Sequence, residues 1–132
     1  MSSESTVSDY WIKSARMDLQ TARNLLACGE FSWSLFIGHL VLEKMLKACY
    51  AARIEPKVPY RHGLVLLAKE IGLDLAESEI EFLDIVTSFN IAVRYPDAKF
   101  QFHRQCTEAF AREYLEKIAA FASRLEEQIR DA

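Results

Sequence analysis

Hydrophobic residues recur every three or four positions along most of the chain, which is the spacing of one face of an α-helix. The first such segment covers residues 10–28, where Ser8 or Asp9 can cap the start and Gly29 suits the end. Residues 31–53 are apolar almost all round. A helix without a wide polar face is usually contacted on several sides, so we expect this one to be central.

Two further helices are predicted before Pro96, which disfavours helix at the residue before it. A short helix begins at about His62 or Gly63. The next begins near Asp74 or Ser78, because each of them is followed three residues later by a glutamate, the arrangement of a capping box.

A connector over residues 95–106 is expected to lead to the last helix. The sequence therefore predicts an all-α fold, an antiparallel bundle of about five helices, four long and one short. Residues 1–132 form one domain in this interpretation, with residues 1–8 as a flexible N-terminal tail. Helices this apolar carry more hydrophobic surface than one small bundle can bury. We therefore expect an apolar face to be covered by a second copy in a two-fold homodimer.

Composition agrees with a globular domain, because 51% of the 132 residues are hydrophobic and 27% are charged. The N-terminus lacks the pattern of a signal peptide and no apolar run is long enough for a membrane span, so we expect a cytoplasmic protein without membrane contact. Cys28, Cys49 and Cys106 form no CxxC pair and are expected to be small buried residues rather than zinc ligands or disulfides.

The net charge of −3 argues against nucleic-acid binding driven by overall charge alone. The charge is unevenly spread, with a basic region over residues 44–61 and an acidic one over residues 70–84. Neither a phosphate-binding glycine loop nor a nucleophilic serine or cysteine motif is present.

A polar stripe lies on the apolar second helix, because His39, Glu43 and Lys47 follow one another at steps of four. One interpretation is a Glu43–Lys47 ion pair with a satisfied His39, and the other is a stripe that faces a ligand or partner. Metal binding is not expected, since helical bundles that bind two metals use Glu-x-x-His pairs, which this chain lacks. No cofactor is expected either.

Four segments carry recognisable motifs: Tyr10–Leu19, with an aromatic residue, Ala and Asp-Leu; His39–Ala48, with Glu-Lys followed by Leu-Lys-Ala; Arg61–Leu64, similar to a Thr-His-Asp-Leu entry; and Arg94–Asp97 after the fourth helix. In this order they resemble the HEPN family of helical-bundle domains. The resemblance implies a homodimer that places helix-end polar residues of both subunits around a shared cleft. The candidate cleft residues are His39, Glu43, Lys44, Lys47, Arg61, His62, Tyr95 and Asp97.

Many HEPN members pair with a minimal nucleotidyltransferase in toxin–antitoxin systems, and others are metal-independent ribonucleases with an Arg, four to six residues, then a His. Some members lack that motif and serve as interaction modules. Here Arg94 is followed by Lys99, Phe100 and Gln101 at the positions for His, and His103 lies two residues beyond them.

The leading hypothesis is therefore a non-catalytic or weakly catalytic homodimer that binds a minimal nucleotidyltransferase. The alternative is a ribonuclease toxin in which Arg94 acts with His103 or His62 on RNA, with His as the base and Arg as the cation that stabilises the phosphorane-like charge. A third possibility is a nucleotide-binding bundle. Without any such role, Arg94 and His62 would cap helix ends and His103 would be exposed.

Overall fold

The computed structural model describes residues 6–60 and 63–130, apart from the side chains of Val93 and Pro96. These residues form six α-helices and no β-strand, which confirms the all-α prediction. The helices are α1 (Val7–Ala27), α2 (Phe31–Arg53), α3 (Leu64–Ile71), α4 (Glu77–Arg94), α5 (Pro96–Gln105) and α6 (Glu108–Arg130). The predicted number of about five is one too few, because the expected connector contains α5.

The first helix begins earlier than predicted. Its N-cap is Thr6 rather than Ser8 or Asp9: the Asp9 backbone N–H donates to Thr6 Oγ1 at 3.0 Å, and the Thr6 N–H donates to the Asp9 carboxylate at 3.3 Å. Ser8 lies inside α1, and its hydroxyl donates to the Ala48 carbonyl at 3.0 Å. The last two residues of the predicted flexible tail are therefore helical, while residues 1–5 lie outside the described part of the chain.

The start of α4 also differs from the prediction. Ala76 is the N-cap, and neither Asp74 nor Ser78 occupies that position. The Ala76 backbone N–H donates to the Glu79 carboxylate at 2.9 Å. A glutamate at the third helical position can satisfy this N–H without a serine or aspartate at the N-cap. The prediction that Asp74 or Ser78 is the N-cap was therefore wrong.

Helix α5 starts directly after a break at Tyr95, whose backbone is extended. Pro96 is the first helical residue, a position that proline favours because its missing N–H needs no partner there. Thr107 then caps α6, accepting a hydrogen bond from the Phe110 N–H at 3.2 Å. The proline that ends α4 thus begins α5, so the segment after it is helix rather than connector.

Helix α2 contacts all five other helices, which confirms its predicted central position. The hydroxyl of Ser34 donates to the Ala22 carbonyl at 2.7 Å, and this bond together with the Ser8–Ala48 bond shows that α1 runs antiparallel to α2. Gly38 of α2 faces Ile118 of α6, and a Cβ at this glycine would lie 2.9 Å from the Ile118 δ-methyl. Within the described residues, no helix is long and apolar enough to cross a membrane.

Candidate functional site

The outward face of α4 changes in charge along its length. Its first half exposes the acidic side chains of Glu77, Glu81 and Asp84, whereas the helix ends at the exposed Arg94. Ser88 is exposed midway between these ends, and its hydroxyl bonds a carbonyl of its own helix. The exposed side chains of α4 are therefore acidic over its first half, uncharged around Ser88 and basic at its last residue.

The uncharged middle of this face carries two apolar side chains. Ile85 is 40% exposed and Ile91 is 51% exposed, and they lie three residues before and three residues after Ser88. Both side chains line the same groove, so they add apolar area along one side of α4.

A groove runs beside this face, between α4, α5 and the start of α6. Its volume is about 510 Å³, and none of its lining side chains is charged. Aromatic rings form its floor, where Phe89 packs against Phe102 at 5.3 Å and against Tyr114 at 5.6 Å between ring centroids. The lining residues are Ile85, Ser88, Phe89, Ile91, Ala92, Ala98, Gln101, Phe102, Gln105, Phe110 and Tyr114.

This α4 surface, defined by Ile85, Ser88 and Ile91, was not singled out from the sequence. Ile85 fits the apolar spacing of the helix, so its type alone does not distinguish it from a core residue. The available signal was Ile91, which is an apolar residue off the buried stripe. The contribution of α5 to the groove could not be inferred, because α5 itself was not predicted.

Arg94 and His103, the tentative catalytic pair, lie at opposite ends of α5. Arg94 ends α4 just before α5 begins, and His103 is in the last turn of α5. The seven residue steps from Pro96 to His103 rise about 10 Å along a helix axis. A rigid helix therefore separates the two side chains within one chain, where a bulged connector would have been needed to bring them together.

Two side chains of α5 contact the start of α2. His103 Nδ1 lies 3.3 Å from Ser32 Oγ, at hydrogen-bonding distance. Lys99 Nζ lies 4.9 Å from the centre of the Trp33 ring, a cation–π contact. These two side chains thus help to hold α5 against α2.

The polar stripe of α2 is buried in the chain. His39 is fully buried, and Lys47 donates to the Glu43 carboxylate at 3.2 Å with both side chains less than a tenth exposed. Lys47 also lies 5.1 Å from the Trp11 ring centre and 5.8 Å from that of Tyr60. This is the arrangement of an internal ion pair closed over by aromatic rings, as in the first of the two interpretations.

The other candidate cleft residues are dispersed. Lys44 forms an ion pair with Asp18 of α1 at 2.7 Å, away from Arg94. Tyr95 and Asp97 are exposed at the junction of α4 and α5, and so share the basic end of the α4 face. Arg61 and His62 lie outside the described residues.

The cysteines differ in exposure. Cys49 and Cys106 are buried as predicted, and burial raises the pKa of their thiols to about 11 and about 12. Cys28 is exposed at the end of α1, so the expectation of burial was wrong for this residue. No group of three potential metal-ligating side chains occurs within residues 6–60 and 63–130.

The sequence profile of the HEPN domain matches residues 8–128, and this chain belongs to the HEPN domain family. The crystal structure of TT1696 from Thermus thermophilus is similar, with a TM-score of 0.80 and 25% sequence identity over 93% of this chain and 98% of that chain. A comparison with curated proteins finds no match.

Proposed function

We propose that this HEPN domain is an interaction module that forms a homodimer through the α4 surface and binds a protein partner, with a minimal nucleotidyltransferase as the candidate. The observation that carries the dimer is the reversal of charge along α4. In an antiparallel crossing at Ser88, the acidic half of each helix lies beside Arg94 of the other copy.

The magnitudes favour such a crossing. Each charge pair at the rim contributes only about 0.2–1 kcal/mol, so the charges set the direction of the helices more than the affinity. Affinity comes from the apolar middle, where Ile85 and Ile91 of both copies flank the crossing. Complete burial of side chains of this size is worth about 1.5–3 kcal/mol each, and the small Ser88 lets the helix backbones approach.

This geometry bears on the ribonuclease alternative. With Ser88 at the crossing, the two Arg94 residues lie about 18 Å apart along the helices, since twelve residues separate 82 and 94. Each guanidinium is then beside Glu81 and Asp84 of the partner subunit, where it is neutralised. An arginine in that environment supports a binding role better than stabilisation of a phosphorane-like charge.

The dimer is tested by measuring its mass with light scattering. The wild type is expected at twice the chain mass of 15.2 kDa. Ser88→Arg places two like charges at the crossing and should give monomers, whereas Thr21→Arg, an exposed α1 position with the same helix-bonded hydroxyl, should not. A dimeric Ser88→Arg protein would exclude this crossing.

Charge reversal tests the direction of the helices. Glu81→Arg should weaken the dimer by placing this side chain beside Arg94 of the partner subunit, and Glu81→Arg with Arg94→Glu should restore it.

Co-expression with a minimal nucleotidyltransferase from the same genome tests the partner. A stable complex at micromolar concentration is expected, and failure to associate would remove that candidate while leaving the dimer intact.

A further inference from the structure

Helix α5 buries far less of itself than its neighbours do. Of the α5 side chains that the structure describes, only Phe102 is buried, Ala98 is half-buried and the others are exposed. By contrast, α6 buries six side chains between Ala111 and Leu125. A helix shorter than about 12–15 residues is marginal in water on its own, and α5 has ten residues. The docking of α5 therefore depends largely on burial of the Phe102 ring.

The polar contacts between α5 and α2 lie at the surface. His103 and Lys99 are both exposed, and Trp33, which lies under the Lys99 ammonium, is itself 39% exposed. Contacts of this kind add little to stability, because water competes for the same groups. They orient α5 on α2 but do not substitute for apolar burial.

Both ends of α5 are breaks in the helical backbone. Tyr95 is extended, and Pro96 has no N–H with which to continue the hydrogen bonds of α4. At the other end Cys106 leaves the helical conformation, with φ −82° and ψ 81°. Thr107 then caps α6 with its own hydroxyl, so the first turn of α6 does not require α5. Helix α5 can therefore move without unwinding either neighbour.

The aromatic rings beneath Phe102 are also held together without α5. Phe89 of α4 packs against Phe110 and Tyr114 of α6, at 6.2 Å and 5.6 Å between ring centroids. These contacts join α4 directly to α6. Withdrawal of Phe102 from the Phe89 ring, 5.3 Å away, would thus uncover this cluster and leave it assembled.

We propose that α5 is a gate over the groove beside α4, which opens as a unit about Tyr95 and Thr107 while the other helices stay packed. In the closed state Phe102 covers Phe89, and in the open state Phe89 and its aromatic neighbours are accessible. Segments with few buried contacts open locally at a lower free energy than the whole protein unfolds. The contacts that carry this inference lie within one chain, so it does not depend on the proposed dimer.

Two buried thiols distinguish this opening from global unfolding. Cys106, at the end of α5, is 5% exposed, and its N–H donates to the Phe102 carbonyl at 3.0 Å, so it moves with α5. Cys49 is fully buried in α2, with its thiol 3.8 Å from the Leu125 carbonyl, and is uncovered only when α2 and α6 separate. In a Cys28→Ser background, labelling at pH 8 should modify Cys106 at least about tenfold faster than Cys49, as measured by mass spectrometry of the peptides.

Two phenylalanines of α5 provide a matched pair of variants in this background, because Phe102 is buried whereas Phe100 is 66% exposed. Phe102→Ala should speed the labelling of Cys106 by more than about tenfold and that of Cys49 much less. Phe100→Ala should change neither rate. A Phe102→Ala protein that is unfolded by circular dichroism, or in which both thiols are accelerated equally, would overturn the gate, since α5 would then not be separable from the core.

His103→Ala is a milder variant, because it removes the contact with Ser32 from an exposed position. It should speed the labelling of Cys106 severalfold in a folded protein and leave Cys49 unchanged. The gate is also overturned if Cys106 and Cys49 react at one rate in the background protein, because only global unfolding would then expose them.

Hydrogen exchange tests whether α5 opens as a unit. The backbone amides from Lys99 to Phe102 should exchange at a common low protection, well below that of the amides in the middle of α2 and α6. If these α5 amides are as protected as those of α6, only the end of α5 frays and the gate is overturned.

Discussion

Gly38→Ala tests the close packing of α2 on α6. A Cβ at this position would lie 2.9 Å from the δ-methyl of Ile118 and 3.7 Å from a δ-methyl of Leu115. The first distance is too short for two carbon atoms, and Ile118 is fully buried with little room to turn. Overpacking of this kind costs about 1–3 kcal/mol.

The difference in helix propensity between alanine and glycine offsets part of this loss of stability. In a helix interior, alanine is favoured over glycine by about 0.8–1 kcal/mol, so the substitution would stabilise the protein if space allowed. The difference predicts a net loss of roughly 0–2 kcal/mol in the free energy of unfolding. Urea denaturation followed by circular dichroism measures this loss as a lower midpoint at an unchanged slope.

Ile118→Val provides the matching control, because it removes the methyl group that the new Cβ would meet. In the wild type this change should cost about 0.5–1.5 kcal/mol, and in the Gly38→Ala background it should cost less. The double-mutant cycle then gives a favourable coupling energy. If Gly38→Ala instead raises stability by the full difference in helix propensity, the packing described for α2 and α6 is incorrect.

Two further predictions concern ionisable groups. The Ala76 N–H, followed by Arg124, lowers the pKa of Glu79. The ionised Glu79 carboxylate therefore stabilises the folded protein above the ordinary glutamate pKa, and this contribution is lost as pH falls through the lowered pKa. Glu79→Gln should cost about 1 kcal/mol of stability at pH 7 and little in acid, as measured by thermal melts at several pH values. Of the three thiols, Cys28 alone should react rapidly with a thiol reagent at pH 8 in the folded protein. Cys49 and Cys106 should react slowly, because they are buried and their raised pKa values keep them protonated. Rapid labelling of two or three thiols would contradict this prediction.

The helices with strong local signals could be predicted from the sequence. The apolar pattern gave α2 its bounds, and the left-handed glycines Gly29 and Gly72 mark the ends of α1 and α3 as expected. The start of α1 was misplaced, since Thr6, Ser8 and Asp9 are all good capping residues and only the fold selects between them. Ser8 does not act as the N-cap because its hydroxyl donates to the carbonyl of Ala48, forty residues away.

The candidate site was harder to predict, because its contacts join distant parts of the chain. The spacing of His39, Glu43 and Lys47 placed them on one face of α2, but whether that face was core or cleft depended on Trp11 and the other helices. The contact between Ser32 and His103 spans 71 residues. The groove beside α4 could not be inferred, since it is defined by how α4, α5 and α6 pack together rather than by a sequence pattern.

Disulfide trapping at Ser88 tests the antiparallel α4 crossing most directly. In a Cys28→Ser background, Ser88→Cys places two thiols at the two-fold axis of the proposed dimer, within the short Cα–Cα distance that a disulfide needs. Mild oxidation should convert the protein to a covalent dimer, seen on a non-reducing gel, while Thr21→Cys should stay monomeric. A Ser88→Cys protein that remains monomeric, or that cross-links no faster than Thr21→Cys, would contradict the proposed dimer.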